Sequence, residues 1–268
     1  MAHTQDNGRE KSPIQVIDRA TWILRVLGAA KRPLGVRELA RRVELSPSTT
    51  RRILVSLCDN GFCEQTGDGN YQLGLTLLEL GSKVEAGLDL RTRALPALRR
   101  LAEVSDLTAF LAVRREDRAI TIERVDGRYA FSLAVTVGSS LPLHAGGISR
   151  ALLAYLPEDE ARGYIRQGPL RSFTDRTLVT ESALIGDREE IRRVGYAISE
   201  EDVTPGVAAL AMPIFDHRSA DEPVGSISVA GLVPHVIDEK DRVLGLVREA
   251  AEEISRELGH RIADEQPV

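Results

Sequence analysis

Cysteine is almost absent from this chain, histidine is sparse, and no apolar stretch is long. Each scarcity excludes something. The two cysteines, Cys58 and Cys63, fall in one small segment. They argue against a disulfide-stapled framework and read as core or near-core thiols in a reducing compartment. The five histidines are scattered and offer no ligand spacing for zinc, so no metal is expected. No run of apolar residues could span a bilayer, and the opening MAHTQDNGRE lacks the features of a secretory leader. The expectation is a cytoplasmic protein with no membrane partner.

Catalytic signatures are also missing. There is no G-x-G-x-x-G and no P-loop, so no cofactor is expected. The nearest approach to a nucleophile elbow, Gly147-Ile148-Ser149-Arg150-Ala151, lacks its second glycine. The chain is therefore read as a non-enzyme. A small-acid hydrolase using His144 and Ser149 is the competing reading.

What is present is a globular composition, 43% hydrophobic and 28% charged, over 268 residues, which is enough for two domains. The net charge of −5 argues against a uniformly basic nucleic-acid binder. The charge is uneven, however. Lys31, Arg32, Arg37, Arg41, Arg42, Arg51 and Arg52 crowd one short stretch against only Glu38 and Glu44. That is a local electrostatic footprint on a larger acidic body.

The same stretch carries the clearest pattern. Val36, Leu39, Ala40 and Val43 make one apolar helical stripe, and Thr50, Ile53, Leu54 and Leu57 make a second. Between them Ser46 is a helix N-cap and Pro47 suits the first helical position. The free side of the second helix offers Ser48, Thr49, Arg51, Arg52 and Ser56, groups that reach phosphates and base edges. An ordinary helical hairpin with a solvated basic face has the same pattern. The following residues favour a winged helix-turn-helix: Gly61–Gln65 reads as a strand, Thr66–Asn70 as a turn, and Tyr71–Leu73 as the returning strand.

The rest of the chain sorts by period. Ser12 to about Ala30 reads as a first helix, with Trp22 off its main stripe as a core-edge or dimer contact. Gly74 to about Arg93 reads as a helix weakened by its glycines, a linker or an ordinary domain helix. Another helix follows over Arg91–Glu103. Thr108–Val113, Ala119–Val125, Phe131–Val135, Val207–Phe215 and Val224–Val229 are strand-like. Helices are expected over His144–Leu156, Glu158–Gln167, Glu181–Val194 and from Asp238 to about Ala263. This mixture gives an α+β sensor-like domain.

Within it, VGSSLPLHAGGIS (residues 137–149) brings a glycine-rich approach to the start of an apolar helix. Unpaired backbone N–H groups and the positive end of the helix dipole then favour a small carboxylate over Gly147 and Ile148. A plain loop-to-helix junction has the same sequence. The polar loop 199–206 and the pair Ser226 and Ser228, which share one sheet face, are further candidates. Two inward serines are more commonly satisfied core groups than ligands.

Taken together, IQVIDRATWILRVL, GVRELARRVELSPSTTRRILVSLCDNGF, YQLG, LPLHAGGISRALLAYLP, RRVGYAISEEDVTPGVAALAMPIFD and VGSISVAG resemble the IclR family of transcriptional regulators, in order and over nearly the whole chain. The resemblance implies an α+β protein with an N-terminal winged helix-turn-helix, a linker helix and a C-terminal GAF-like effector domain. The expected bounds are a flexible tail over 1–11, the DNA-binding domain over 12–74, the linker over 75–93, the effector domain over 94–262 and a tail over 263–268. It implies a ligand-responsive repressor of a catabolic operon. Its partners would be double-stranded DNA with a palindromic operator, a small-molecule effector (an organic or aromatic carboxylate) and further copies of itself in a homodimer or tetramer. The DNA-contacting set would be Arg37, Ser46, Ser48, Thr49, Arg51, Arg52 and Ser56. The effector pocket would lie at Gly147, Ile148, Ser199, Ala209, Ser228 and Ala230. Keto-acid-binding members carry small or polar groups at several of these places, whereas Ile148, Ala209 and Ala230 are apolar here. That departure points to a less polar pocket, for a larger or aromatic acid, or to one that takes no ligand.

Overall fold

The computed structural model describes residues 15–86, 89–128, 135–219 and 221–260. The chain divides into two compact units, with the boundary between Gly87 and Leu88.

In the first unit three helices, α1 (Gln15–Ala29), α2 (Val36–Arg42) and α3 (Pro47–Asp59), enclose one small core. The two stripes read from the sequence supply it: Leu39, Ala40, Val43, Thr50, Ile53, Leu54 and Leu57 are buried, joined by Ile23 and Leu27 from α1. Ser46 caps α3 by accepting from the Thr49 amide at 3.1 Å, with Pro47 following. Thr50 is tolerated in the core because its hydroxyl donates to the Ser46 carbonyl at 3.0 Å. The wing is β1 (Cys63–Gln65) paired antiparallel with β2 (Tyr71–Leu73). Its base is pinned by reciprocal hydrogen bonds between Leu34 and Tyr71, at 2.9 and 2.8 Å. Gly74 must be glycine, since a Cβ there would stand 2.2 Å from the Gly61 carbonyl oxygen. Trp22 is 54% exposed, which excludes the core-edge reading.

Between the two units a helix boundary differs from the sequence expectation. The helix read from Gly74 to Arg93 is α4 (Thr76–Ala86), and α5 (Asp89–Ser105) has already begun by Asp89. The Asp89 carboxylate favours a helix start by facing the positive dipole end, and it also pairs with Arg93 at 2.9 Å one turn on.

The second unit is built on one antiparallel sheet of six described strands in the order β5-β4-β3-β8-β7-β6. These are β3 (Thr108–Arg115), β4 (Arg118–Val125), β5 (Ser140–Pro142), β6 (Ala197–Glu200), β7 (Val207–Ile214) and β8 (Gly225–Leu232). Side chains alternate faces along each strand. Ala109, Leu111, Leu210, Met212, Ile227 and Val229 point to the face covered by α5 and by α9 (Lys240–Glu257). Phe110, Ala112, Ala211 and Ala230 point to the other, covered by α6 (Gly147–Ala154), α7 (Glu158–Arg166) and α8 (Glu181–Val194). The α+β class is therefore as read.

The differences are local. The short strands β5 and β6 lie at the sheet edges and were not read from the sequence. The strand expected over Phe131–Val135 lies outside the described residues except for Val135, which is in no strand. The last helix is preceded by a π turn at Pro234–Asp238 and begins at Lys240 rather than Asp238.

Candidate functional site

Two places collect the candidate residues, one in each unit. On α3 the free face presents Ser48, Arg51, Arg52, Val55 and Ser56, all exposed, with Thr49 half-buried beside them. Arg37 is exposed on α2. The basic stretch is less cationic than its composition suggests. Glu38 accepts from both Arg32 (3.0 Å) and Arg42 (2.6 Å), and these guanidiniums hold its carboxyl below the usual range even though desolvation pushes the other way. Arg37, Arg41, Arg51 and Arg52 enter no ion pair among the described residues, so their charge remains available to a polyanion. Ser46 is exposed, but its hydroxyl is already engaged as the α3 cap and lies 3.0 Å from Ser48 Oγ and 2.8 Å from Thr49 Oγ1. Thr49, Arg52 and Ser56 also line a cleft of about 400 Å³ between α3 and α1, together with Val16, Arg19, Ala20, Ile53 and Leu57. Arg19 and Val55 were not singled out from the sequence. Only the exposure of a polar or apolar side chain beside the recognition stripe identifies them, and that needs coordinates.

In the second unit the structure brings all six residues of the expected pocket, Gly147, Ile148, Ser199, Ala209, Ser228 and Ala230, to the wall of one cavity of about 70 Å³. The sheet supplies its floor: Ser199, Ala209 and Ala230 are cross-strand neighbours, and Ser228 lies two residues from Ala230 on the same face. The sequence reading missed Phe110, Thr121 and Val207, and held Leu141 and Val203 only as members of the stretches 137–149 and 199–206. These come from five different segments and share no local spacing. None of the described lining residues is charged.

The start of α6 faces this cavity. The helix begins three residues later than expected because Gly146, with φ 81°, acts as its N-cap in a conformation that side chains resist. The Gly146 amide donates to Asp202 Oδ2 at 3.0 Å. The next amides, Gly147 and Ile148, belong to the first turn and have no intrahelical acceptor. The two serines expected on one face play different parts. Ser226 donates to the Ile148 carbonyl at 2.8 Å and is a satisfied core group. Ser228, 2% exposed, lines the cavity and makes no hydrogen bond among the described residues. Ser199 donates its proton to Asp202 and therefore meets the cavity as an acceptor.

Behind the cavity is a buried polar tether. Arg150, 4% exposed, pairs with Asp187 on α8, donates to the Ile198 carbonyl on β6, and places Nε 3.4 Å from Asp202 Oδ2. Thr177 donates to the Asp202 carbonyl at 2.6 Å and Thr174 to that of Glu201 at 2.7 Å. His144 is occupied at both ring nitrogens. The Arg171 carbonyl, 2.9 Å from Nε2, can only accept, so Nε2 carries the proton and Nδ1 accepts from the Tyr164 hydroxyl at 2.7 Å. Burial lowers the His144 pKa and pushes the Tyr164 hydroxyl up to about 12. The ring is thus held neutral and structural. Ser149 is fully buried with its hydroxyl unpartnered, and no hydrogen bond joins it to His144 among the described residues.

Comparison with known proteins bears on both places. Residues 16–67 match the model of the IclR helix-turn-helix domain, and residues 83–256 that of the bacterial transcriptional regulator IclR C-terminal region. The chain belongs to the IclR family. It is 34% identical to the HTH-type transcriptional regulator BhcR of Paracoccus denitrificans, over 93% of this chain and 88% of that one. It is 30% identical to the transcriptional repressor IclR of Escherichia coli, over 92% and 90%. In fold it is similar to an IclR homologue from Microbacterium hydrocarbonoxydans complexed with 4-hydroxybenzoate, with a TM-score of 0.77 at 24% identity over 91% of this chain and 99% of that one.

As an IclR-family protein it is a DNA-binding transcriptional regulator, with the helix-turn-helix in the first unit and the effector domain in the second. No described helix is long and apolar enough to cross a membrane. Among the described residues no group of three or more His, Cys, Asp or Glu is placed to hold a metal ion.

Proposed function

We propose that this IclR-family regulator represses a catabolic operon in the cytoplasm and responds to a monocarboxylic acid with an apolar or aromatic body, bound in the cavity at the start of α6. The observation that carries this reading is Ser228, 2% exposed, whose hydroxyl lines the cavity and makes no hydrogen bond among the described residues, beside the first-turn residues Gly147 and Ile148. These neutral donors, aided by the helix dipole, suit a single carboxylate. The wall formed by Ile148, Ala209, Ala230, Phe110 and Val207 suits hydrocarbon rather than a second charge. The 4-hydroxybenzoate held by the Microbacterium homologue has this chemistry.

DNA would be contacted from α3 by Ser48, Thr49, Arg51, Arg52 and Ser56, with Arg37 on the backbone. Ser46 serves mainly as the cap that orders this face. Exposed Ile17, Trp22, Leu75, Leu78 and Leu80 supply apolar area in the first unit for a second copy, as a dimer or tetramer on a palindromic operator.

The test is thermal unfolding against benzoate, 4-hydroxybenzoate, phenylacetate, pyruvate and glyoxylate. An acid that binds only the folded state adds about 2.7 kcal/mol at about 100 times its dissociation constant, and the shift should shrink in Ser228→Ala. Stabilisation by an acid that is unchanged in both Ser228→Ala and Ile148→Asp would move the site elsewhere.

A further inference from the structure

We propose that Arg19 on α1 is part of the DNA interface, and that it and Arg52 hold one phosphodiester in the cleft between α1 and the recognition helix. The proposal rests on the DNA-binding reading and adds a residue and a division of labour to it. The cleft has an apolar floor of Val16, Ala20, Ile53 and Leu57, and a rim of two guanidiniums and the hydroxyls of Thr49 and Ser56. No carboxylate is among its described lining residues. Arg32 and Arg42, in the same unit, are neutralised by Glu38. Arg52 has no such partner among the described residues. Arg19 spends one N–H on Gln15 Oε1 at 3.2 Å, leaving most of its five donors free. Two guanidiniums with no carboxylate partner among the described residues, flanked by two hydroxyls, complement a phosphate, which carries one charge and several acceptor oxygens.

The geometry also says which part of DNA reaches the cleft. Ser48 and Val55, at i and i+7, lie on the outward stripe of α3, where base edges are met in the major groove. The cleft instead lies along the flank of α3, and its second wall is a different helix. A side chain on that second helix stands beside the inserted helix, where the groove is bounded by the strand backbone. Arg52 is thereby assigned to backbone holding rather than to forking onto guanine, while Ser48 and Arg51 keep the reading role.

The experiment is a salt titration of binding by the full chain to a DNA duplex selected from a random pool and to a scrambled duplex. The expected result is that Arg19→Ala and Arg52→Ala each weaken both duplexes by the same factor, roughly tenfold at about 0.1 M salt, and each lower the slope of log affinity against log salt by about 0.9. The ratio between the two duplexes should stay constant. Arg19→Lys and Arg52→Lys should restore most of the slope, because a phosphate accepts a point charge where a forked guanine contact does not. Arg51→Ala should reduce the ratio. An unchanged slope in Arg19→Ala removes that residue from the interface. A reduced ratio with an unchanged slope in Arg52→Ala makes it a base reader and overturns the assignment. If the wild-type chain shows no salt-dependent binding, the DNA reading fails first and the proposal with it.

Discussion

Ser226 and Ser228 stand on the same face of β8, yet one bonds the Ile148 carbonyl and the other opens into the cavity. Their alternation was legible in the sequence; their different partners were not, because these depend on where α6 docks across the sheet. His144 shows the same limit. Its place before a glycine turn was visible, but its bonds to Tyr164 and to the Arg171 carbonyl connect residues far apart in the chain. Those bonds have a measurable consequence. Burial lowers the His144 pKa below its ordinary 6.5 in the folded protein. Between the lowered value and 6.5 the unfolded chain binds the proton that the folded one excludes, so stability rises with pH through this window and is lost as pH falls. The thermal midpoint should therefore drop on acidification from about pH 8 to about pH 5, with a shallower drop in His144→Gln. Equal slopes in the two proteins would show that the ring is not excluded from protonation.

At the scale of elements, periodicity carried most of the reading. The stripes of α2 and α3, the capping by Ser46 and Pro47, and the wing turn are all local, so the winged helix-turn-helix could be read from the chain. Edge strands β5 and β6 could not. They are three and four residues long, carry little apolar alternation, and exist because β4 and β7 offer them free edges.

The start of α6 depends on a distant residue, Asp202, which takes the Gly146 amide and is itself held beside Arg150. This buried group is the strut between α6, α8 and β6. Arg150→Leu should leave the Asp202 carboxylate, 4% exposed, without its cation and cost on the order of 3–5 kcal/mol in urea unfolding. Adding Asp202→Asn should recover part of that loss. A loss below about 1 kcal/mol in the single variant would mean the carboxylate finds water or another donor. At the far end of α6, Arg192 and Arg188 on α8 donate to the carbonyls of Ala154 and Leu156. Cations thus meet the negative end of the dipole whose positive end faces the cavity.

At the scale of the whole molecule, an acidic chain carries a basic first unit that reads DNA and a second unit whose cavity suits an uncharged-walled acid site. Regulation requires that the acid bind the DNA-competent and DNA-incompetent states with different affinities, since equal affinity shifts nothing. The most direct measurement is the affinity of the full chain for its selected operator duplex, with and without a saturating acid from the panel that raises the thermal midpoint. A coupling of about 1–3 kcal/mol, seen as roughly a five- to 150-fold change in operator affinity that Ser228→Ala diminishes, is the predicted result. An acid that stabilises the protein through the α6 cavity yet leaves operator affinity unchanged would contradict the account.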